Sequence, residues 1–277
     1  MLKREPKPIK GFNYSHWEVY QDYIDYLNNT PFQKEKLGSS VDDDYDIYGF
    51  NFGNLNNPTI VVISNQHGSE WETVHYTIKF FERLYNNYFY YSKTIKRFLS
   101  FYVIPMANPY GYLNLDLQNK NGVNLNRNWD YNLNQLSGEE PFSEPETSII
   151  RDTINQYNPI SVIDNHTWGH IPNEGNEHSG IGSGRTKIDP VLVNNTRNSI
   201  SINTKSKISR WTPNDNNTLR NWASQRSGIY GKSCMSFLLE IGGDLDLYIQ
   251  AKEGITSYYI FCLSIINYIK NRTLNFS

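Results

Sequence analysis

Short runs of almost uninterrupted apolar residues, separated by longer amphipathic stretches, constrain the fold of this 277-residue chain most strongly. Such a run is typical of a strand buried on both faces, as in a parallel sheet. The predicted strands are DIYGFNFG (46–53), TIVVISN (59–65), FLSFYVIP (98–105), PISVIDNHT (159–167) and MSFLLEI (235–241). Predicted helices cover 70–91, 143–157 and 248–270, with two further candidates over 189–205 and 217–227. This alternation predicts a single-domain α/β sandwich around a largely parallel sheet.

The remaining stretches are read from their local patterns. Within residues 1–40, apolar and aromatic residues recur at helical spacing, which predicts a lead-in helix packed on a main domain formed by 41–277. The helix at 143–157 is expected to begin with Ser143 as its N-cap, because Glu146 follows three residues later in a capping-box pattern. The Asn-rich stretch 172–186 is interpreted as a long surface loop that faces the substrate.

Charge and cysteine content argue against several classes of protein. The formal net charge is −2 and the Lys and Arg residues are scattered, so we expect neither nucleic acid nor an anionic membrane as a partner. The first residues carry no apolar run of a signal peptide, and no apolar stretch approaches the ~20 residues that span a bilayer. Cys234 and Cys262 lie in apolar segments and are expected to be buried free thiols rather than a disulfide. We expect a soluble protein, either cytoplasmic or carried outside the cell within a larger particle.

Three sequence features place chemically active side chains at strand ends. His67 and Glu70 follow the run TIVVISN, His166 lies in PISVIDNHT, and Glu240 lies in MSFLLEI. Each feature alone has an ordinary explanation, namely a surface pair, a structural hydrogen bond or a salt bridge. Together they favour one site, because the carboxyl ends of parallel strands meet at one edge of an α/β sheet. Two His and one Glu, with a fourth position left for water, form a catalytic zinc set, and a separate carboxylate can transfer protons.

Two further motifs make this pattern specific. NPYGY (108–112) and GVNLNRNWD (122–130), taken with HGSEW (67–71) and the late strand Glu, resemble the zinc carboxypeptidase family. That family includes the pancreatic carboxypeptidases A and B and bacterial carboxypeptidase T. The resemblance covers roughly residues 15–270 in order and spacing. It implies an α/β/α sandwich whose mixed sheet has about eight strands.

The resemblance also implies roles for the candidate residues. The implied ligands of one Zn²⁺ per chain are His67, Glu70 and His166. Glu240 would be the general acid/base for hydrolysis of a C-terminal peptide bond. Asn126 and Arg127 would form the clamp for the terminal carboxylate of the substrate. A guanidinium suits this task because it binds a carboxylate through two parallel hydrogen bonds.

The chain departs from the family pattern where the family has cationic residues. The family carries an oxyanion-stabilising Arg shortly before its GVDLNRN string, and this position falls near Leu117. Lys120 is the nearest cation, and it is a poorer substitute for a planar fork. The oxyanion could therefore depend on zinc alone, on Lys120 or on a distant Arg. Ser69 also stands where pancreatic members have an Arg between the His and the Glu.

The substrate pocket departs from the pattern as well. Residues 205–219 contain no Tyr where the family has a mobile substrate-capping tyrosine, and Trp211 is the nearest aromatic residue. Leu219 and Arg220 fall near the specificity-pocket position of the family. Leu219 would suit an apolar terminal residue, whereas Arg220 would suit an acidic one, and the sequence does not choose between them.

Two alternative functions stay open from the sequence. The same fold could hydrolyse a cell-wall peptide with γ-glutamyl or D-amino-acid linkages. A degenerate peptidase could instead only bind zinc or peptides, as a structural module of a larger particle. The missing oxyanion Arg favours that second alternative. The presence of all three ligands together with Glu240 disfavours it, because a binding module needs no water-activating carboxylate.

Overall fold

The structure is a computed structural model that describes residues 15–129, 136–168, 178–183, 194–196, 198–199, 207–211, 218–225, 234–242 and 247–273. The strands in these residues are β1 (Lys34–Ser39), β2 (Asp46–Phe52), β3 (Thr59–Ser64), β4 (Ser100–Ile104), β5 (Ser161–Trp168), β6 (His178–Ser183), β7 (Lys207–Trp211) and β8 (Met235–Gly242). The helices are α1 (Tyr20–Asn28), α2 (Glu72–Tyr85), α3 (Ser92–Phe98), α4 (Pro109–Asn114), α5 (Pro145–Tyr157), α6 (Leu219–Ser224) and α7 (Leu247–Thr273). Two short 3₁₀ turns cover Val41–Asp43 and Leu125–Arg127.

The described strands form one mixed sheet in the order β1-β2-β4-β3-β5-β8-β6-β7. The central strands β4, β3, β5 and β8 are parallel, as is the outer pair β6–β7. The antiparallel pairs are β1–β2, β2–β4 and β6–β8. The four apolar runs that most clearly predicted buried strands form this parallel centre, so the prediction of a mixed α/β domain is confirmed.

Different helices cover the two faces of the sheet. Ile60 and Val62 of β3 pack in a cluster with side chains of α1, α2, α3 and α7. Val61 and Ile63 point to the opposite face and pack with α5 and α6. All four side chains are fully buried, and each contributes on the order of 1.5–3 kcal/mol through removal from water. The result is the predicted three-layer α/β/α arrangement.

The register of the parallel strands brings their carboxyl ends together. Ser64 pairs with Asn165 between β3 and β5. His166 pairs with Glu240 between β5 and β8. His67 follows the end of β3 after a turn that begins at Asn65, whose φ is 62°. Residues far apart in the sequence therefore meet at one sheet edge, as the sequence predicted.

Two predicted helices differ in detail. The helix predicted for 70–91 is α2, which ends at Tyr85, because Asn87 takes a left-handed φ of 55°. The short helix α3 then precedes β4. The capping box predicted at Ser143 is wrong, since the N-cap of α5 is Glu144 and proline occupies the first turn. The Ser143 hydroxyl instead donates to the Glu144 carboxylate at 2.7 Å.

Two strands in the outer parts of the sheet were not predicted from the sequence patterns. The lead-in segment contains α1, and it also contains β1, whose sequence KEKLGS lacks a continuous apolar run. The surface loop predicted over 172–186 is wrong for 178–183, because these residues form β6. Its remaining residues lie outside the described part of the chain. Helix is present at 194–196 and 198–199 within the candidate 189–205, and α6 lies within 217–227.

Both cysteines are buried free thiols, as predicted. Among the described residues, no helix combines the length and the apolar character that a membrane crossing requires.

Candidate metal centre

Three side chains converge at the carboxyl ends of the neighbouring strands β3 and β5. The Nδ1 atom of His67 lies 2.8 Å from Oε1 of Glu70, and Nδ1 of His166 lies 2.8 Å from Oε2 of the same carboxylate. One potential ligand atom from each residue lies within 4.8 Å of the other two. Two imidazole nitrogens and one carboxylate at these separations suit Zn²⁺, which prefers N and O donors in a tetrahedral arrangement. His67, Glu70 and His166 could therefore hold one metal ion.

Close backbone packing shapes the turn that carries His67 and Glu70. A Cβ atom at Gly68 would lie 1.9 Å from the carbonyl carbon of Gly111, so the site turn and the NPYGY motif are in direct backbone contact. The side-chain amide of Asn65 donates to the carbonyl oxygens of His67 and Gly68, at 3.0 and 3.1 Å. The turn after β3 and the NPYGY motif therefore pack against each other through Gly68 and Gly111.

Each histidine has an oxygen partner at its other ring nitrogen. The Nε2 atom of His67 lies 3.1 Å from Oδ1 of Asn124. The Nε2 atom of His166 lies 2.9 Å from Oδ1 of Asp164. A proton on Nε2 would satisfy both contacts and leave Nδ1 free to bind a cation. These two oxygen partners favour the tautomer in which both Nδ1 atoms serve as ligands, and Nδ2 of Asn126 also lies 3.1 Å from Nε2 of His166.

Sequence reasoning missed Asp164. It lies two residues before His166, and side chains at this spacing share one side of a strand. A carboxylate within the apolar run PISVID is costly to bury without partners, and that cost was the available signal.

The charges in the site favour a cation. Burial opposes ionisation of Glu70, but His166 and His67 outweigh it and lower the pKa of this carboxyl to about 2. Burial also opposes protonation of His166, yet Asp164 and Glu70 raise its pKa well above the usual range. These groups thus favour a positive charge between Glu70 and the two imidazoles, which is the position that a metal ion would take.

Glu240 lies on β8 directly beside His166. Its pKa is raised to about 8 by burial, with the negative charges of Glu70 and Asp164 adding to the effect, whereas His166 and Arg220 lower it. A carboxyl group that titrates near neutral pH can both accept and donate a proton, as a general acid/base requires. The sheet therefore places a carboxyl group that could transfer protons next to the candidate ligands.

Asn126 and Arg127 occupy the 3₁₀ turn next to the histidines. Asn126 is buried, with its Nδ2 lying 3.3 Å from Oδ2 of Asp164 and its Oδ1 accepting from the backbone N–H of Leu219 at 3.0 Å. Arg127 is half-buried, and its Nη1 donates to the carbonyl oxygen of Asn126 at 2.8 Å. Both residues thus lie in the site region, and the amide of Asn126 takes part in its internal hydrogen bonding.

The positions that depart from the family pattern lie on the surface. Leu117, at the expected place of the oxyanion Arg, is 40% exposed. The Nζ atom of Lys120 lies 2.9 Å from a carboxylate oxygen of Asp42 and 2.6 Å from one of Asp44. The backbone N–H of Ser69 donates to the Asp116 carbonyl oxygen at 2.8 Å. Lys120 is therefore engaged in surface ion pairs.

The pocket candidates lie in different environments. Leu219 is the first residue of α6. Its side chain is fully buried in the core cluster that α5 and α6 form with the sheet. Arg220 is 2% exposed, and its Nη1 would lie 2.2 Å from a Cβ atom added at Gly182. Trp211 is the last residue of β7, and its part in the pocket stays a prediction.

The structure is a mixed α/β domain, and two imidazoles and a carboxylate lie at the carboxyl ends of its parallel strands. This architecture and this ligand set are those of a catalytic zinc protein. The family model for zinc carboxypeptidases, peptidase M14, matches residues 20–264, and the chain belongs to this family. Zinc is the metal that the family uses. Members of this family are hydrolases. Membership therefore supports the classification of the chain as a metallopeptidase that acts on peptides.

Solved metallocarboxypeptidases share the fold. A metallo-carboxypeptidase from Burkholderia cenocepacia is 14% identical with a TM-score of 0.68, over 92% of this chain and 70% of that protein. Carboxypeptidase A from Helicoverpa armigera is 18% identical with a TM-score of 0.64, over 88% of this chain and 71% of that protein. Bovine thrombin-activatable fibrinolysis inhibitor, solved with a tick carboxypeptidase inhibitor, is 15% identical with a TM-score of 0.68, over 91% of this chain and 99% of that protein. None of the curated proteins compared with the chain gives a significant match.

Proposed function

We propose that this chain is a zinc metallocarboxypeptidase that hydrolyses the C-terminal peptide bond of its substrate. The observation that carries the proposal is the pairing of His166 with Glu240 across β5 and β8, which sets a proton-transfer carboxyl beside the candidate ligand set. A bound Zn²⁺ would supply Lewis-acid activation of water and of the scissile carbonyl.

Glu240 takes both proton-transfer roles in this proposal. Its carboxylate accepts the proton of the attacking water and then delivers that proton to the nitrogen of the leaving amine. Burial and the nearby negative charges raise the pKa of Glu240, so that its protonated form persists long enough to serve as the acid. Glu240 is partly exposed, whereas the other residues of β8 are buried.

Arg127 receives the terminal carboxylate of the peptide, with Asn126 beside it. Nη1 of Arg127 donates to the carbonyl oxygen of Asn126 at 2.8 Å, and Nδ2 of Asn126 lies 3.1 Å from Nε2 of His166. An Arg–carboxylate pair fixes both the position and the orientation of the last residue, and it thereby selects a C-terminal bond.

Arg220 makes an acidic terminal residue the preferred substrate. Three observations support this choice: its buried position, the packing of its guanidinium against Gly182, and its electrostatic influence on Glu240. Leu219 instead packs in the core, so it offers no apolar pocket wall in this proposal. We assign no oxyanion role to Lys120, because Asp42 and Asp44 hold it at the surface.

A cleavage screen with and without added zinc tests the function. The panel contains peptides that differ only in a final Glu, Leu or Lys, together with muropeptides that carry γ-glutamyl and D-amino-acid linkages. We expect zinc-dependent release of the last residue, fastest for Glu, and an activity loss of ~10²–10⁴-fold in Glu240→Gln. Cleavage of muropeptides alone would support the cell-wall alternative. Binding of zinc without any cleavage would support the degenerate module.

A further inference from the structure

Asp164 contacts three separate parts of the site. Its side chain is fully buried on β5. Its Oδ1 accepts from Nε2 of Gln66 at 2.6 Å and lies 2.9 Å from Nε2 of His166. Its Oδ2 accepts from Nδ2 of Asn126 at 3.3 Å. One carboxylate thus contacts a candidate metal ligand, the turn that carries Arg127 and the residue that precedes His67.

The two histidines differ in the residue that supports them. Asn124, a neutral amide, faces Nε2 of His67, whereas the carboxylate of Asp164 faces Nε2 of His166. An amide oxygen can orient an imidazole. A carboxylate orients it and also makes the opposite ring nitrogen a stronger electron donor. The structure therefore contains a weak and a strong version of the same support within one ligand set.

We propose that Asp164 is the positioning residue of the metal centre, holding His166 as the Nε2–H tautomer and joining it to the substrate-binding turn through Asn126. This inference rests on the proposed metal site and not on the identity of the substrate. Gln66 helps to fix the carboxylate, since its Oε1 accepts from Nε1 of Trp129 at 3.1 Å. Both Gln66 and Trp129 are buried, so the support is held in a rigid environment.

Buried charge explains why this carboxylate needs all of its partners. An isolated carboxylate in the interior costs several kcal/mol, and hydrogen bonds together with a nearby cation offset that cost. The substitution Asp164→Asn keeps the size but removes the charge. If its amide oxygen faces His166, its NH₂ group faces the NH₂ group of Asn126, and two donors then oppose each other. The variant should lose both the electronic support and the link to the turn.

Zinc affinity, measured by chelator competition, tests the proposal without any activity assay. We expect Asp164→Asn to bind zinc ~10–100-fold more weakly than the wild type. Asn124→Asp is the matched variant, because it gives His67 the carboxylate that it lacks. The double variant Asp164→Asn/Asn124→Asp should recover part of the lost affinity. An unchanged zinc affinity in Asp164→Asn would overturn the proposal, as would equal losses in the single and double variants.

The tautomer gives a second readout that needs no variant. In zinc-loaded wild-type protein, nitrogen-15 correlation spectra should show the proton of His166 on Nε2 and the metal on Nδ1. A metal on Nε2 of His166 would refute the role of Asp164 even if Asp164→Asn failed to fold. A wild-type chain that binds no zinc would contradict the metal site itself, so the two failures are distinguishable.

Discussion

The candidate metal ligands and the candidate substrate-anchoring segment lie side by side, but different kinds of bond hold them in place. The metal side is built on the ends of β3 and β5, with β8 alongside, whose register is set by continuous backbone ladders. The anchoring segment, defined here as residues 119–129, contains only the 3₁₀ turn Leu125–Arg127. Its conformation therefore depends on individual side chains.

Asparagines hold the anchoring segment together. Asn119 accepts from the backbone N–H groups of Asn121 and Val123, and its amide donates to a Glu144 oxygen at 2.7 Å. Asn128 donates to the backbone carbonyls of Ser137 and Glu140. Such side-chain bonds to backbone satisfy groups that a strand would satisfy through its ladder.

This difference indicates which part of the site tolerates a single substitution and which part does not. A strand end keeps its position when one side chain changes, because the ladder remains. The anchoring segment belongs to no strand ladder, so a single substitution there can shift the groups that are proposed to hold substrate. Substitutions should therefore separate the two regions by what they abolish, metal binding on one side and substrate discrimination on the other.

The largest effect should come from substitutions of the candidate metal ligands. Replacing His67, Glu70 or His166 by Ala should abolish the binding of about one zinc per chain, because zinc needs all three protein ligands plus water. Elemental analysis of the purified variants measures this loss. Glu240→Gln is the control, since it should keep its zinc while losing activity. Full zinc retention after all three ligand changes would show that the site assignment is wrong.

The contrast between strand ladders and individual side-chain bonds also explains how much of the structure could be predicted from the sequence. Buried parallel strands require continuous apolar runs, so β3, β4, β5 and β8 were predicted. His67, Glu70, His166 and Glu240 could be placed because they adjoin those runs. The edge strand β1 (KEKLGS) and the strand β6 (HSGIGS), which lies next to the outermost strand β7, contain no continuous apolar run and so carry no such signal.

The partners of Asp164 and the long-range hydrogen bonds of the anchoring segment could not be predicted, for a related reason. Their contacts link residues about 16 to 100 positions apart, such as Gln66 with Asp164 and Asn128 with Glu144. A sequence pattern reports local periodicity, and hydrogen bonds between distant polar residues leave no periodic trace.

A smaller effect should come from removing the proposed contact between Arg127 and the terminal carboxylate of the substrate. Amidation of the substrate carboxylate removes a charge-assisted contact worth ~1.5–3 kcal/mol, so the specificity constant should fall at least about tenfold. Arg127→Lys should lower the specificity constant for the free acid and barely change that for the amide, because the mutated contact is already absent there. Kinetics on the matched acid and amide measure this non-additivity. Equal rates for acid and amide in the wild type would instead indicate a zinc amidase or endopeptidase.

The smallest effect concerns the stability of the anchoring side. Glu146 is fully buried, and its carboxylate accepts from the amide of Asn119 at 3.3 Å. Burial, followed by the charge of Glu144, raises the pKa of Glu146 to about 7, although hydrogen bonds from Asn119 and the backbone act in the opposite direction. The fold therefore favours the protonated form, which the unfolded chain gives up near its ordinary pKa of about 4.3.

The direction of the pH effect follows from this difference. Stability from Glu146 is fully present below about pH 4.3 and is lost as the pH rises through about 7, because above that pH the folded protein must hold a buried charge. Glu146→Gln mimics the neutral acid, so its advantage over the wild type should grow between pH 5 and 8 by on the order of 1–3 kcal/mol. Denaturant unfolding of both proteins in chelator, at several pH values, measures that growth. Glu139→Gln, at an exposed position, is the control and should follow the wild-type profile. Parallel profiles for Glu146→Gln and the wild type would mean that Glu146 is ionised at no cost and that the anchoring side has no pH-sensitive support.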